Sequence, residues 1–104
     1  MHPILGTWDV SLRTPIGTLH AVYVFTDVDG GLAGTASTTS ETVPLTALAC
    51  DGARVTWRQS VTRPMRLHLD FDVLVNGGTL NGHSRAGRLP RTTVTGTRRA
   101  DQQG

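Results

Sequence analysis

His20 is the side chain of this sequence best suited to chemistry near neutral pH. It lies in Thr18-Leu19-His20-Ala21-Val22-Tyr23-Val24-Phe25, a stretch that is otherwise almost wholly apolar. A histidine turned into an apolar interior can hydrogen-bond a ligand, or take and give a proton, because imidazole titrates within the physiological range. The plainer reading is a satisfied histidine near the edge of a core, since no carboxylate is visibly placed to orient the ring. His68 and His83 lie on consecutive predicted strands, both outward. A turn centred on Asn76-Gly77 sets Asp70 opposite His83, and a one-residue slip to Val75-Asn76 sets His68 there instead. Either pair is ordinary on a solvated sheet face. A metal site needs three or more ligands in closed geometry, and neither the histidines nor the single Cys50 has that spacing, so no metal is expected. No cofactor is expected either, because no glycine-rich loop opens a helix to cradle a phosphate. Serine, histidine and aspartate are all present without a Gly-x-Ser-x-Gly context. The acidic residues fall mainly in turns or on outward faces, which places no pair for glycoside hydrolysis. Cys50, with no basic residue beside it, reads as an inert small core residue.

These side chains must be carried on strands. Twelve Gly, five Pro and many Thr and Val disfavour helices, and no segment sustains a 3.6-residue period. Turn signals recur evenly: Thr14-Pro15-Ile16-Gly17, Asp27-Val28-Asp29-Gly30-Gly31, Thr39-Ser40-Glu41, Asp51-Gly52, Arg63-Pro64, Asn76-Gly77-Gly78 and Gly87-Arg88-Leu89-Pro90. They separate eight runs, at about 4–13, 18–26, 31–39, 42–50, 53–62, 65–75, 79–86 and 91–99. Eight short strands joined by hairpins predict an all-β, eight-stranded antiparallel up-and-down barrel, because closure removes the edges that an open sheet leaves unpaired. Asp29-Gly30-Gly31-Leu32-Ala33-Gly34 echoes Asn76-Gly77-Gly78-Thr79-Leu80-Asn81-Gly82, each a turn followed by Leu-x-Gly. Glycines there would let the sheet bend sharply as it curls.

Alternation assigns the faces. In 65–75, Met65, Leu67, Leu69, Phe71 and Val73 turn inward, against Arg66, His68, Asp70 and Asp72. In 53–62, Val55, Trp57, Gln59 and Val61 share the inner face, and in 79–86 Leu80, Gly82, Ser84 and Ala86 do. The lining is mostly apolar with a few neutral polar groups, which is the usual make-up of a small-molecule site. Trp57, Gln59, Met65, Leu67, Leu69, Phe71 and Ser84, with His20, are therefore the candidate ligand-binding residues. The alternative is that these side chains simply fill a small barrel.

Composition bounds the setting. The 104 residues, 38% hydrophobic and 17% charged, read as one globular domain over 1–104, structured from about 4 to 99, with a polar tail at 100–104. Ten arginines and no lysine leave a net charge of only +2, scattered and without interleaved aromatics, so nucleic acid is not an expected partner. No apolar run is long enough to cross a bilayer, so no membrane partner is expected. The N-terminus has no basic segment leading into a long apolar run, and Cys50 is alone; both fit a cytoplasmic setting without a secretory signal.

The opening run alternates, with Ile4, Gly6, Trp8, Val10 and Leu12 on one face and Thr7, Asp9, Ser11 and Arg13 on the other. Gly6-Thr7-Trp8 near the start and Gly96-Thr97-Arg98 near the end resemble the calycin pattern of lipocalins, fatty-acid-binding proteins and avidins. The resemblance implies that Trp8 plugs one end of a barrel and that Arg98 stacks across it, an arrangement favoured by cation–π attraction. Asp29-Gly30-Gly31-Leu32-Ala33-Gly34-Thr35 resembles avidins in particular, and the avidin-like register implies that Thr18, His20, Val22 and Val24 face inward. Thr14-Pro15-Ile16-Gly17 is similar to the first turn of small bacterial barrels. The function implied is binding of a small apolar or amphipathic molecule. A second reading is a calycin-like enzyme, a cyclase or isomerase acting by shape plus an inward His20, and a third is an interaction module with a filled barrel. Fold does not choose among them.

Residues 18–25 do not alternate cleanly. With His20 inward, Leu19, Ala21, Tyr23 and Phe25 form an outward apolar row; with the register reversed, Val22 and Val24 are exposed instead. Soluble monomers avoid such patches, so a homodimer or larger oligomer covering this strand is expected.

Overall fold

The computed structural model describes residues 4–14, 17–62 and 66–99. Among them nine strands form one antiparallel sheet: β1 (Gly6–Thr14), β2 (Gly17–Val28), β3 (Gly31–Ser37), β4 (Thr42–Pro44), β5 (Thr46–Asp51), β6 (Arg54–Val61), β7 (Leu67–Asn76), β8 (Thr79–Arg85) and β9 (Thr92–Arg98). The order across the sheet is β4-β3-β2-β1-β9-β8-β7-β6-β5. Its two outer members, β4 and β5, follow one another in the chain, so the sheet curls into a nearly closed up-and-down barrel. Among the described residues no helix is long and apolar enough to cross a membrane.

The ninth strand comes from dividing the run predicted at 42–50. Residues 42–44 pair with β3, then the chain turns and residues 46–51 pair with β6. Pro44 supplies no N–H to a continued ladder. Ala47 has φ 52°, and the β5–β6 register shifts between Thr46 and Ala49. One strand is thus bent into two, and the bend carries the seam of the barrel: the Leu45 N–H donates to the Gly34 carbonyl at 2.9 Å. A side chain at position 34 would bring a Cβ within 2.9 Å of Leu45 Cδ1 and 3.2 Å of Phe25. Gly82, the other half of the sequence echo, faces β7 so closely that a Cβ would stand 2.0 Å from the Asp72 carbonyl oxygen. Both glycines mark places where the sheet folds tightly onto itself.

The inner faces of β1, β6, β7 and β8 follow the alternation: Trp8, Val10, Val55, Trp57, Gln59, Phe71, Val73, Leu80 and Ser84 are buried. β2 corrects the expected register. Trp8 lies opposite Tyr23 and Val10 opposite Ala21, and antiparallel partners share a face. Leu19, Ala21, Tyr23 and Phe25 therefore line the barrel, while His20, Val22 and Val24 lie on its outer wall. The reversed register is the one adopted, and the outward row is Val22 and Val24, both half-buried. The β7–β8 turn is also displaced. Asn76 pairs with Thr79, which centres the turn on Gly77-Gly78 and sets Asp72, not Asp70 or His68, opposite His83.

The middle of the barrel is packed by aromatic rings. Trp57 stacks on Phe71 at 4.9 Å and 9°, and Tyr23 and Phe25 close on Trp57 at 5.6 and 5.3 Å between centroids. Offset and tilted pairs of this kind add stabilisation beyond the apolar area they bury.

Candidate functional site

The two ends of the barrel are finished differently, and the candidate site lies at one of them. At the closed end, where β1 begins and β9 finishes, Trp8 is completely buried and its indole N–H donates to the Ile4 carbonyl at 2.8 Å. The Arg98 guanidinium carbon stands 4.4 Å from the centre of the Trp8 ring. Arg98 also donates to the Leu5 carbonyl and, at 3.3 Å, to that of Gly77. The indole is capped by a cation whose own N–H groups are satisfied by backbone, so this end is sealed.

At the opposite, open end the inward side chains are apolar and only partly covered. Leu12 faces Leu19 across β1 and β2, and Val61 faces Leu67 across β6 and β7. Leu19 is 51% exposed, and Val61, Leu67 and Leu69 are half-buried. Beneath them the Gln59 amide oxygen accepts two hydrogen bonds, from the Tyr23 hydroxyl at 2.8 Å and the Trp57 indole N–H at 3.1 Å. Two donors on one oxygen fix the amide and leave the amide nitrogen with two N–H groups for another partner. Burial pushes the Tyr23 phenol far above its usual pKa, so it remains a neutral donor at any physiological pH. The seam is fastened at this end by the Glu41 carboxylate, which accepts from the Thr62 N–H at 3.0 Å and the Thr62 hydroxyl at 2.7 Å.

The structure thus brings Trp57, Gln59, Phe71 and Ser84 together in the lumen, with Leu69 beside Gln59 and Leu67 above them at the mouth. Met65 lies outside the described residues, as do Pro15 and Ile16 of the first turn and the tail at 100–104. His20 is not brought to this group. It is exposed on the outer wall, where its Nδ1 lies 3.1 Å from the Ser11 hydroxyl. His68 makes the same kind of outward pair with Ser60 at 2.7 Å. Neither pair is oriented by a carboxylate. Asp9, near His20, is gripped by Arg99 at 2.6 Å, and Asp70, next along the outer face from His68, pairs with Arg58 at 3.1 Å. Among the described residues no group of His, Cys, Asp or Glu is arranged to hold a metal ion.

Comparison of the chain with known protein families, curated proteins and solved structures finds no match. Function therefore rests on the geometry alone.

Leu19, Ala21, Tyr23 and Phe25 are the lumen residues that the avidin-like register set outward. A hairpin in which Thr14 pairs with Gly17 puts Trp8 opposite Tyr23, so the signal was the turn itself. Two grooves also run along the outer wall, one beside Ser11, His20 and Ser37, the other beside Arg58, Asp70, His83 and Arg91. Both are open to solvent and mixed in polarity, unlike the apolar mouth.

Proposed function

We propose that this chain binds a small apolar or amphipathic molecule at the open end of the barrel. The ligand rests above the Tyr23–Gln59–Trp57 floor, against Leu19, Val61, Leu67 and Leu69. The observation that carries the reading is the inequality of the ends: inward leucines retain solvent at one end, while the other is sealed. Covering such side chains is favourable by about 1.5–3 kcal/mol for each that becomes fully buried, and an apolar partner entering the mouth would supply that cover. Gln59 offers one directional contact, the usual economy of a small-molecule site. A calycin-like kinship agrees with a nearly closed antiparallel barrel having a Trp8–Arg98 plug. The enzyme reading has less support, because His20 lies outside the lumen. The same proposal includes a cytoplasmic setting, which suits the free thiol of Cys50, and a homodimer covering the outward Val22 and Val24.

Titration with a neutral apolar fluorophore such as N-phenyl-1-naphthylamine tests the site. The expected result is a saturable rise in emission, weakened severalfold in Leu19→Ser and Leu67→Ser while urea midpoints stay close to that of the unmutated chain. No saturable rise, or equal loss in an outer-wall variant such as Thr95→Ser, would refute the mouth as the site.

A further inference from the structure

The charges of the described residues are divided between the two ends of the barrel. The half of the barrel towards the open end carries six arginines, Arg13, Arg58, Arg66, Arg85, Arg88 and Arg91, against two carboxylates, Glu41 and Asp70. Asp70 is taken by Arg58 at 3.1 Å, and Glu41 holds Thr62. Arg13, Arg66, Arg85, Arg88 and Arg91 are exposed, and none is within salt-bridge distance of a carboxylate among the described residues, although the charge of Arg91 is felt by Asp72. Arg85 donates through Nε to the Leu89 carbonyl at 3.2 Å, which steadies the β8–β9 turn that also carries Arg88. The closed end is the reverse. Its turns carry Asp27, Asp29 and Asp51, and its arginines are engaged: Arg54 by Asp72, Arg99 by Asp9, and Arg98 over Trp8. A small net charge thus conceals a separation along the barrel, with the excess of positive charge on the outer face and turns of the open end, where Arg85 and Arg91 border the outer-wall groove beside Asp70, Asp72 and His83.

We infer that the ligand of this mouth is an amphipathic anion, with its tail among Leu19, Leu67 and Leu69 and its carboxylate or phosphate head held at the arginine rim. The inference rests on the mouth being the binding site. Exposed guanidinium groups keep much of their hydration, so each contributes modestly and the effect is sensitive to salt. Several cations of one sign around a low-dielectric opening act together, drawing in anions and repelling cations. The head need not enter the lumen, where an unpaired charge would be costly. Carboxylate and phosphate present the same chemistry to a guanidinium fork.

Displacement of the neutral fluorophore by dodecanoate, dodecyl phosphate, dodecanol and dodecyltrimethylammonium, each below its micelle concentration, tests the inference. Both anions are expected to displace the probe at concentrations at least about tenfold lower than the cation, with dodecanol between them. A tenfold difference corresponds to about 1.4 kcal/mol. The gap should narrow as salt rises from low to physiological strength. Tighter displacement by one anion than the other identifies the head group and supports the inference equally. In the double variant Arg66→Glu with Arg88→Glu the anion preference should vanish while affinity for the neutral fluorophore is retained. Equal displacement by all four amphiphiles would overturn the inference and leave the mouth as an apolar site. Failure of the fluorophore itself to bind would overturn the site, and the inference with it.

Discussion

The closed and open ends of this barrel are made from the same nine strands, yet they satisfy opposite requirements. At the closed end one large side chain fills the opening, a cation covers its face, and backbone carbonyls satisfy the cation. At the open end the inward side chains described are aliphatic, Leu19 keeps half of its surface in solvent, and the polar floor lies one layer below Val61 and Leu67. Packing is completed where nothing needs to enter, and left incomplete where a ligand is proposed to complete it. Stability should therefore be concentrated at the Trp8 end and binding at the Leu19 end.

The sharpest way to break that contrast is to empty the plug. Trp8→Ala removes a fully buried indole and leaves Arg98 over a void, and an expected loss of about 3–5 kcal/mol follows from large-to-small substitution in a core. Leu19→Ala, at a half-exposed position, should change stability by no more than about 0.5 kcal/mol. Urea denaturation of the two variants beside the unmutated chain measures both. Comparable losses would mean that the ends are equally load-sharing and that the open end is a packed cap.

Tyr23→Arg belongs with the large effects, for a reason the sequence alone did not give. An outward Tyr23 would make that substitution a probe of self-association. Tyr23 is instead buried against Trp57 and hydrogen-bonded to Gln59, so an arginine there would have to bury a charge and lose the ring contacts. The expected outcome is loss of folding, read by circular dichroism. For association the accessible variants are Val22→Arg and Val24→Arg, with sedimentation equilibrium as the measurement.

What could be read from the sequence divides along similar lines. β6, β7 and β8 alternate between a mostly apolar face and a polar or charged one, so their faces, the packed Trp57 and Phe71, and the meander of hairpins were legible. β2 is apolar on both faces, so its own pattern carries no register, and the avidin-like resemblance pointed the wrong way. The partner strand held the answer, since Trp8 must face inward and the Thr14–Gly17 hairpin sets Tyr23 against it. The division of the 42–50 run was hidden for another reason: Pro44 flagged an interruption, but the positive φ at Ala47 has no signature in an alanine. The gathering of arginines at one end was not visible either, because positions from 13 to 91 come together only when alternate turns fall at the same end.

Arg98 tests the plug more gently. Arg98→Ala should cost about 1–3 kcal/mol, through lost stacking on Trp8, lost aliphatic packing and lost donation to backbone carbonyls. Arg98→Lys keeps the charge but not the planar fork, and should recover only part of that loss. Urea midpoints of the two variants decide it; an unchanged midpoint in Arg98→Ala would mean that the indole seals this end unaided.

The smallest expected effect is acid sensitivity. The Arg54 guanidinium, bound to Asp72 through two N–H groups, holds that carboxyl below its ordinary pKa, and Arg99 does the same for Asp9. A carboxyl with a depressed pKa in the folded state binds fewer protons there than in the unfolded chain. Its contribution is complete above the ordinary carboxylate range and is lost as pH falls through that range towards the folded value. The Asp72 side chain is about half exposed, so its pair is worth at most about 1 kcal/mol. Urea midpoints measured from neutral pH down into the acid range should fall, and Asp72→Asn should flatten part of that fall while lowering the neutral-pH midpoint slightly. The contrast between the ends sharpens here as well. In acid the aspartates of the closed end lose their charge while the arginines of the open end keep theirs, so the rim's anion preference should outlast the ion pairs below it. Displacement of the neutral fluorophore by dodecyl phosphate, whose head stays anionic in mild acid, would read this directly. A preference that faded in step with the loss of stability would place the relevant charges on the wall, away from the mouth.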